Sequence, residues 1–239
     1  MSDRHHDPIT ERRLERALKR GLDVALAGAG LAALAPALAT IAVAIRLDSP
    51  GDALFVQERV GRQGRVFRLL KFRTMTAGAP VQFNADGSTR VAASDARVTR
   101  VGKHLRGALD ELPQLVNVLL GDMSLVGPRP DLPVHAEQYT ERERDKLRVR
   151  PGITSLAAVL GRNELYWKRR IAIDLEYIDR WSLALDAKVL LATFALPFGV
   201  EPFGLAQLIP DHPSERVATA EPSTNAPHDG APGAPEPSP

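Results

Sequence analysis

Asp110 and Glu111 open the stretch "DELPQLVNVLLGDMSLVGPRP", which closes on Arg129 between two prolines. Two adjacent carboxylates repel each other, so their place at the mouth of an apolar segment needs a reason. Leu112, Leu115, Val116, Leu119 and Leu120 recur at the spacing of an amphipathic helix over 111–120. Pro113 then falls in the first turn, where a missing N–H costs nothing. In that setting Asp110 is an N-cap and Glu111 a favourable charge at the positive end of the helix dipole. The same helix start is also a ready anion site. Local chemistry leaves both readings open.

The elements around the pair narrow the choice. The net charge of +2 conceals an asymmetry: residues 1–110 carry 18 Lys/Arg against 11 Asp/Glu, and residues 111–239 carry 13 against 18. Six cations and no acid lie between Arg59 and Arg73, a face suited to phosphates or an anionic membrane. The absence of cysteine excludes disulfides and thiolate metal sites, and the six histidines show no metal-ligand spacing. Val24 to Ile45 is an uncharged run of 22 residues. As a helix it is roughly 33 Å long, enough for a bilayer core of about 30 Å. It is too long, and begins too far into the chain, for the apolar region of a signal peptide. Arginines flank it on both sides, so both ends read as cytoplasmic. Pro36 near its middle frees a carbonyl and favours a kink. A helix-break-helix that enters and leaves by the same leaflet satisfies these signals, although Pro-kinked spanning helices are common.

The remaining expectations are coarser. Residues 1–20 read as a polar, basic helix leading into a membrane segment over 21–46. Ala53–Phe72 alternates around Gly61–Gly64 as a β-hairpin. Thr76–Thr99 reads as a loop with a turn at "NADG". Tyr139–Arg148 is a charged surface helix, Lys168–Arg180 another helix, and Trp181–Phe198 an apolar helix suited to lying on a membrane with an interfacial Trp. From residue 210 to 239 the composition is that of a disordered Pro/Ala-rich tail. The fold class is α+β and predominantly helical: a monotopic membrane protein with a catalytic domain over 47–200.

In order along the chain, "KRGLD", "LDSPG", "QERVGRQGRVFRLLKFRTM", "DARVTRVGK", "LDELPQLVNVLLGDMSLVGPRP", "RPGIT", "GRN" and "DLEYIDRWSLALD" resemble the bacterial sugar transferase family, the monotopic polyprenyl-phosphate phosphoglycosyl transferases. The resemblance covers roughly Lys19 to Thr193. It implies transfer of a sugar 1-phosphate from a UDP-sugar to undecaprenyl phosphate with release of UMP, at the cytoplasmic face of the bacterial inner membrane. It implies that Asp110 is the nucleophile that becomes a covalent phosphosugar carrier. Glu111 is implied as the partner that positions substrate and shares a Mg²⁺ site with Asp110. Lys71, Arg73, Arg106, Arg129, Arg150 and Arg162 match family motifs and are the candidate substrate-binding cations, with a bracing role the alternative. Trp181 and Asp186 read as packing and anchoring. The implied partners are donor, acceptor and membrane lipid; no nucleic acid is expected, and a homodimer is compatible.

The sequence departs from the family pattern in three places. Ala35 stands where a Ser usually precedes the kink proline, which weakens support for the kink. The spacing from Arg106 to Asp110 is one residue shorter, and one residue turns a helical side chain by about 100°. "SLAAVLGRN" lacks the usual Gln and aromatic residue, which bears on donor-sugar contacts. A Mg²⁺-dependent nucleotide-sugar hydrolase and a non-catalytic membrane-surface adaptor are the rival functions.

Overall fold

A computed structural model describes residues 13–80, 82, 95–161, 167–198 and 204–208. Arg162, the "NADG" turn and the 210–239 segment lie outside the described residues.

The expected hairpin is present. Strands β1 (Leu54–Val60) and β2 (Val66–Phe72) pair antiparallel from Leu54↔Phe72 to Val60↔Val66. A 3₁₀ turn at Arg62–Gly64 joins them, with Gln63 at φ 59°. The helices are α1 (Arg13–Asp48), α2 (Arg100–Leu105), α3 (Gln114–Leu120), α4 (Pro133–Ala136), α5 (Leu156–Gly161), α6 (Trp167–Asp179) and α7 (Leu183–Ala195). Two short strands, β3 (Ser124–Val126) and β4 (Gly152–Thr154), pair in parallel. The α+β, mainly helical class therefore holds.

α1 corrects the first expectation. The basic leader and the apolar run form one helix of 36 residues that continues through Pro36. The proline removes one N–H, yet the residues on both sides of it stay helical, and the Thr40 hydroxyl donates to the Pro36 carbonyl at 2.9 Å. One lost bond in a long helix bends it more readily than it ends it. By length and composition α1 could cross a membrane, and little of its apolar surface is buried. Both of its ends are nevertheless fastened to the same domain. Near its start, Lys19 pairs with Asp186 at 2.5 Å, and Asp23 accepts from the Ser124 hydroxyl (2.8 Å) and the Leu125 N–H (3.1 Å). At its end, Ile45 packs with Ala53, Phe72 and Leu105, and Asp48 accepts from the Val101 N–H at 2.9 Å.

α3 carries the second correction. The helix begins at Gln114, with Pro113 as its N-cap, and Asp110 and Glu111 sit before it in a 3₁₀ turn, Leu109–Glu111. Asp110 is therefore not the cap of α3. Nor is the apolar stripe the buried face: Gln114, Asn117 and Val118 are buried, while Leu119 and Leu120 are exposed. Unpaired peptide groups on the edge of β2 explain the inversion. The Asn117 side chain accepts from the Leu70 N–H (3.0 Å) and donates to the Arg68 carbonyl (2.8 Å), standing in for a third strand. Leu115 instead packs towards Ala27 of α1.

The main core joins α5, α6 and α7 through Ile171, Tyr177 and Trp181. Trp181 is 1% exposed, and its indole N–H donates to Asp186 at 3.3 Å, so it anchors α7 from inside and is not an interfacial residue. The charged stretch expected as a helix over Tyr139–Arg148 is a 3₁₀ segment at Glu143–Arg148. Lys146 within it is buried between Asp131 (2.6 Å) and Asp174 (3.1 Å). The β3–β4 contact depends on two bare backbones. A Cβ at Gly152 would lie 2.1 Å from the Gly127 nitrogen, and one at Gly127 would lie 2.5 Å from the Arg150 carbonyl. "VGPRP" and "RPGIT" are thus two sides of one close crossing.

Asn117→Leu removes both edge contacts of β2 and leaves two partly buried peptide groups unmet, each worth about 1–3 kcal/mol where water cannot replace the lost partner. The variant should lower the urea midpoint by an amount equivalent to at least about 2 kcal/mol.

Candidate active site

β2 delivers Lys71 to the side of the 3₁₀ turn that holds Asp110 and Glu111, because Asn117 of the following helix fixes the edge at Leu70. The Lys71 ammonium donates to Glu111 Oε1 at 2.6 Å, and the Arg129 guanidinium reaches the same oxygen at 3.1 Å. Burial alone would push the Glu111 carboxyl up, but Arg129 and Lys71 outweigh it and hold the group at about 2. Glu111 also raises Arg129 above the ordinary guanidinium range. Burial lowers the Lys71 ammonium, and Glu111 opposes that shift.

Asp110 differs. Its Oδ1 is buried without a hydrogen-bond partner. Burial raises its carboxyl above the usual range, Lys71 acts against that rise, and Glu111 adds to it. The two neighbouring acids are therefore driven apart, one locked as an anion between two cations and the other left with an open oxygen. Such separation of paired titratable groups is a mark of sites that do chemistry.

The loop bearing Arg129 is braced from behind. Asp131 accepts from Lys146 and from the Tyr139 hydroxyl, and Trp167 donates its indole N–H to it at 3.2 Å. Arg59 donates to the Pro130 carbonyl at 3.0 Å and stays charged although burial, with Arg129 beside it, lowers it to about 10. The sequence reading missed Asp131, Lys146 and Asn117. Asp131 follows "GPRP" directly, but nothing local tells which distant lysine neutralises it.

The candidate cations separate into groups. Lys71 and Arg129 meet the acidic pair. Arg106 lies between α2 and the 3₁₀ turn, and its Nη1 is buried without a partner. Arg73 belongs elsewhere: it is 6% exposed and donates to the Asp52 carbonyl (2.6 Å), the Ser49 hydroxyl (2.7 Å) and the Ser49 carbonyl (2.8 Å). It fastens "LDSPG" after α1, with a further bond to the Gly51 carbonyl at 3.3 Å, so four of its five N–H groups are engaged within the fold. Arg150 is likewise away from the acidic pair and donates to the Gly121 carbonyl at 2.8 Å.

A half-buried carboxylate with one unpartnered oxygen, beside a doubly clamped one and ringed by Lys and Arg, is suited to a phosphorylated substrate. Comparison with known proteins agrees. The model of the bacterial sugar transferase family matches residues 14–199. A UDP-glucose:undecaprenyl-phosphate glucose-1-phosphate transferase of Caulobacter vibrioides is 47% identical over 187 residues, covering 73% of this chain and 67% of the relative. An undecaprenyl-phosphate glucose phosphotransferase of Komagataeibacter xylinus is 43% identical over 73% of this chain, and an Escherichia coli protein named like the Caulobacter one is 41% identical over 75%. Those matches span only 35% and 40% of the two longer relatives. The chain belongs to the bacterial sugar transferase family. It is an enzyme of the phosphoglycosyl transferase class.

Arg73→Gln should lower thermal stability and leave the KM for the sugar donor unchanged. Arg129→Gln should act the other way, impairing turnover at least tenfold while melting within a few degrees of the parent.

Proposed function

We propose that this chain transfers a sugar 1-phosphate from a UDP-sugar to undecaprenyl phosphate at the cytoplasmic face of a bacterial inner membrane, releasing UMP. The names of its relatives support this donor and acceptor, with a UDP-hexose such as UDP-glucose the first donor to test. Relatives named for exopolysaccharide production support a place at the first membrane step of polysaccharide assembly. The observation that carries the reading is the contrast between Glu111, held by two cations, and Asp110, whose Oδ1 is buried yet unpartnered.

In this mechanism an Asp110 carboxylate oxygen attacks the β-phosphorus of the donor. The phosphoanhydride bond to the α-phosphate breaks, and UMP leaves with the bonding electrons. An oxygen of undecaprenyl phosphate then attacks the aspartyl phosphate, restoring the carboxylate and forming the new diphosphate. One phosphoanhydride is broken and one made, so no further energy source is needed. Splitting the transfer lets the soluble and lipid substrates react in turn. Lys71 and Arg129 keep Glu111 anionic and present positive charge to the diphosphate, and Arg106 Nη1 offers a free donor to an equatorial phosphate oxygen. Asp110 Oδ1 and the donor's phosphate oxygens would hold Mg²⁺, which supplies neutralisation of the diphosphate as it is attacked. No cluster of three or more ligating side chains exists among the described residues. That suits an ion bound through one or two carboxylates plus substrate phosphates. Glu111 Oε1 is already shared by two cations, so Asp110 is the stronger metal ligand of the pair.

Membrane attachment follows from α1. A bilayer-crossing helix leaves its two ends on opposite faces, yet Lys19 and Asp48 are both fastened to one domain. The reading is that α1 lies in one leaflet, kinked or tilted at Pro36, with Leu22, Leu26 and Val43 towards lipid. Cysteines placed singly at Ser2 and at the exposed Asp52 of this cysteine-free chain should both react with a reagent supplied from the cytoplasm. Labelling from opposite sides would establish a spanning helix.

The nucleophile is tested without acceptor. Wild-type protein given Mg²⁺ and a UDP-sugar labelled in its β-phosphate should become labelled at Asp110, and undecaprenyl phosphate should discharge the label. Asp110→Asn keeps the shape of the side chain but should reduce labelling and transfer to background. Glu111→Gln should slow both steps without moving the site of labelling. Ping-pong kinetics should accompany trapping; failure to trap label, with kinetics that require both substrates together, would make Asp110 a metal ligand or base only.

A further inference from the structure

A cavity of about 270 Å³ lies at the turn end of the hairpin. Arg62 of the turn lines it, whereas Lys71 is at the other end of β2. Residues 66–71 of a strand span roughly 17 Å at about 3.3 Å per residue, so the cavity is separate from the acidic pair. Its walls come from five segments: the start of α1, the hairpin turn, β3 with Gly127, the run entering β4, and Tyr177 of α6. Seven of the side chains lining it are cationic, and the single acid is Asp23.

Several of these charges are already answered. Lys19 is paired with Asp186, Arg20 is spent on the Val118 and Leu119 carbonyls (2.7 and 3.2 Å), and Asp23 serves Ser124 and Leu125. Arg148 reaches Asp145 at 3.5 Å, and Arg13, Arg16, Arg62 and Arg150 supply the remaining field. Arg16 Nε is buried without a hydrogen-bond partner. Burial lowers the Arg150 guanidinium, and the charges of Arg20 and Arg62 lower it further, so the arginines feel one another. Guanidinium groups gathered around a buried donor are the chemistry of phosphate recognition. The setting favours a lipid phosphate over a soluble one. Arg13, Arg16 and Arg20 of the cavity wall directly precede the uncharged run Val24–Ile45, which puts the cavity at the level of a bilayer's headgroups, while the exposed Leu14, Leu18 and Leu22 lie on the far face of α1. A glycerophospholipid presents its phosphate at that level and the leaflet holds it there at high local concentration, whereas free phosphate has no such anchor.

We infer that this cavity is a second phosphate site, distinct from the transfer site, that seats the headgroup of one anionic phospholipid where α1 enters the membrane surface. The bound headgroup would tie the start of α1, the hairpin turn and the approach to β4 together through Arg16, Arg62 and Arg150.

The test uses the purified full chain in detergent, with phosphatidylglycerol, phosphatidylcholine and inorganic phosphate as probes. Native mass spectrometry should find one phosphatidylglycerol retained per chain, and the melting temperature should rise with that lipid alone. Arg16→Gln and Arg62→Gln should each weaken retention about tenfold, with far-UV circular dichroism unchanged. Arg16→Lys, which keeps the charge, should recover part of the binding if the Gln variant proves unstable. These readouts do not depend on transfer, so the inference can fail while the proposed reaction stands. Equal retention of phosphatidylcholine, or retention indifferent to both Gln variants, would overturn it. Equal stabilisation by inorganic phosphate would assign the cavity to a soluble anion instead.

Discussion

A carboxylate that is less than one-fifth exposed must be neutralised, and Glu111 is neutralised from two directions at once. One cation arrives on a strand and the other on a proline-bracketed loop, so the demand of a single oxygen fixes how hairpin and loop sit against each other. Everything else in the catalytic half can be traced outward from that requirement. Asn117 sets the height of the strand. Asp131, with Lys146 buried against it, sets the loop. Buried ion pairs of this kind add little net stability but penalise every alternative arrangement, which is how a charged site acquires one geometry.

The same logic extends to the membrane element. Lys19 and Asp23 are charged groups just before the uncharged middle of the helix, and both are consumed by partners on the domain. Arg73 performs the corresponding task at the far end by gathering the carbonyls after the helix. The helix is thereby strapped along the enzyme at both ends, with its uncharged outer face left for lipid. Under the proposed reaction, this arrangement would keep the acidic pair at a constant distance from the membrane surface that supplies the acceptor.

Local pattern made some of this legible and long-range pairing did not. The hairpin could be read because alternation and Gly61–Gly64 are local signals, and α6 because its periodicity is sustained over 13 residues. The acidic pair and two of its cations were legible from the family motifs. Pro36 announces a local irregularity, yet whether the helix ends there or runs on through it is decided by the turns on either side, which stay helical. The buried face of α3 was read backwards because its partner is a strand edge, which rewards Asn, while periodicity counts only apolar residues. Arg73 and Arg150 share motif status with Lys71, and nothing in sequence spacing tells an arginine that faces substrate from one that gathers carbonyls.

The crossing of Gly127 over Gly152 has a consequence for engineering. Neither backbone leaves room for a side chain on the other, so the two segments behave as a matched pair of mating surfaces. A chimera that takes the arginine loop from one relative and the "RPGIT" segment from another inherits two halves cut to different tolerances. Exchanged together, they form a cassette that carries its own fit.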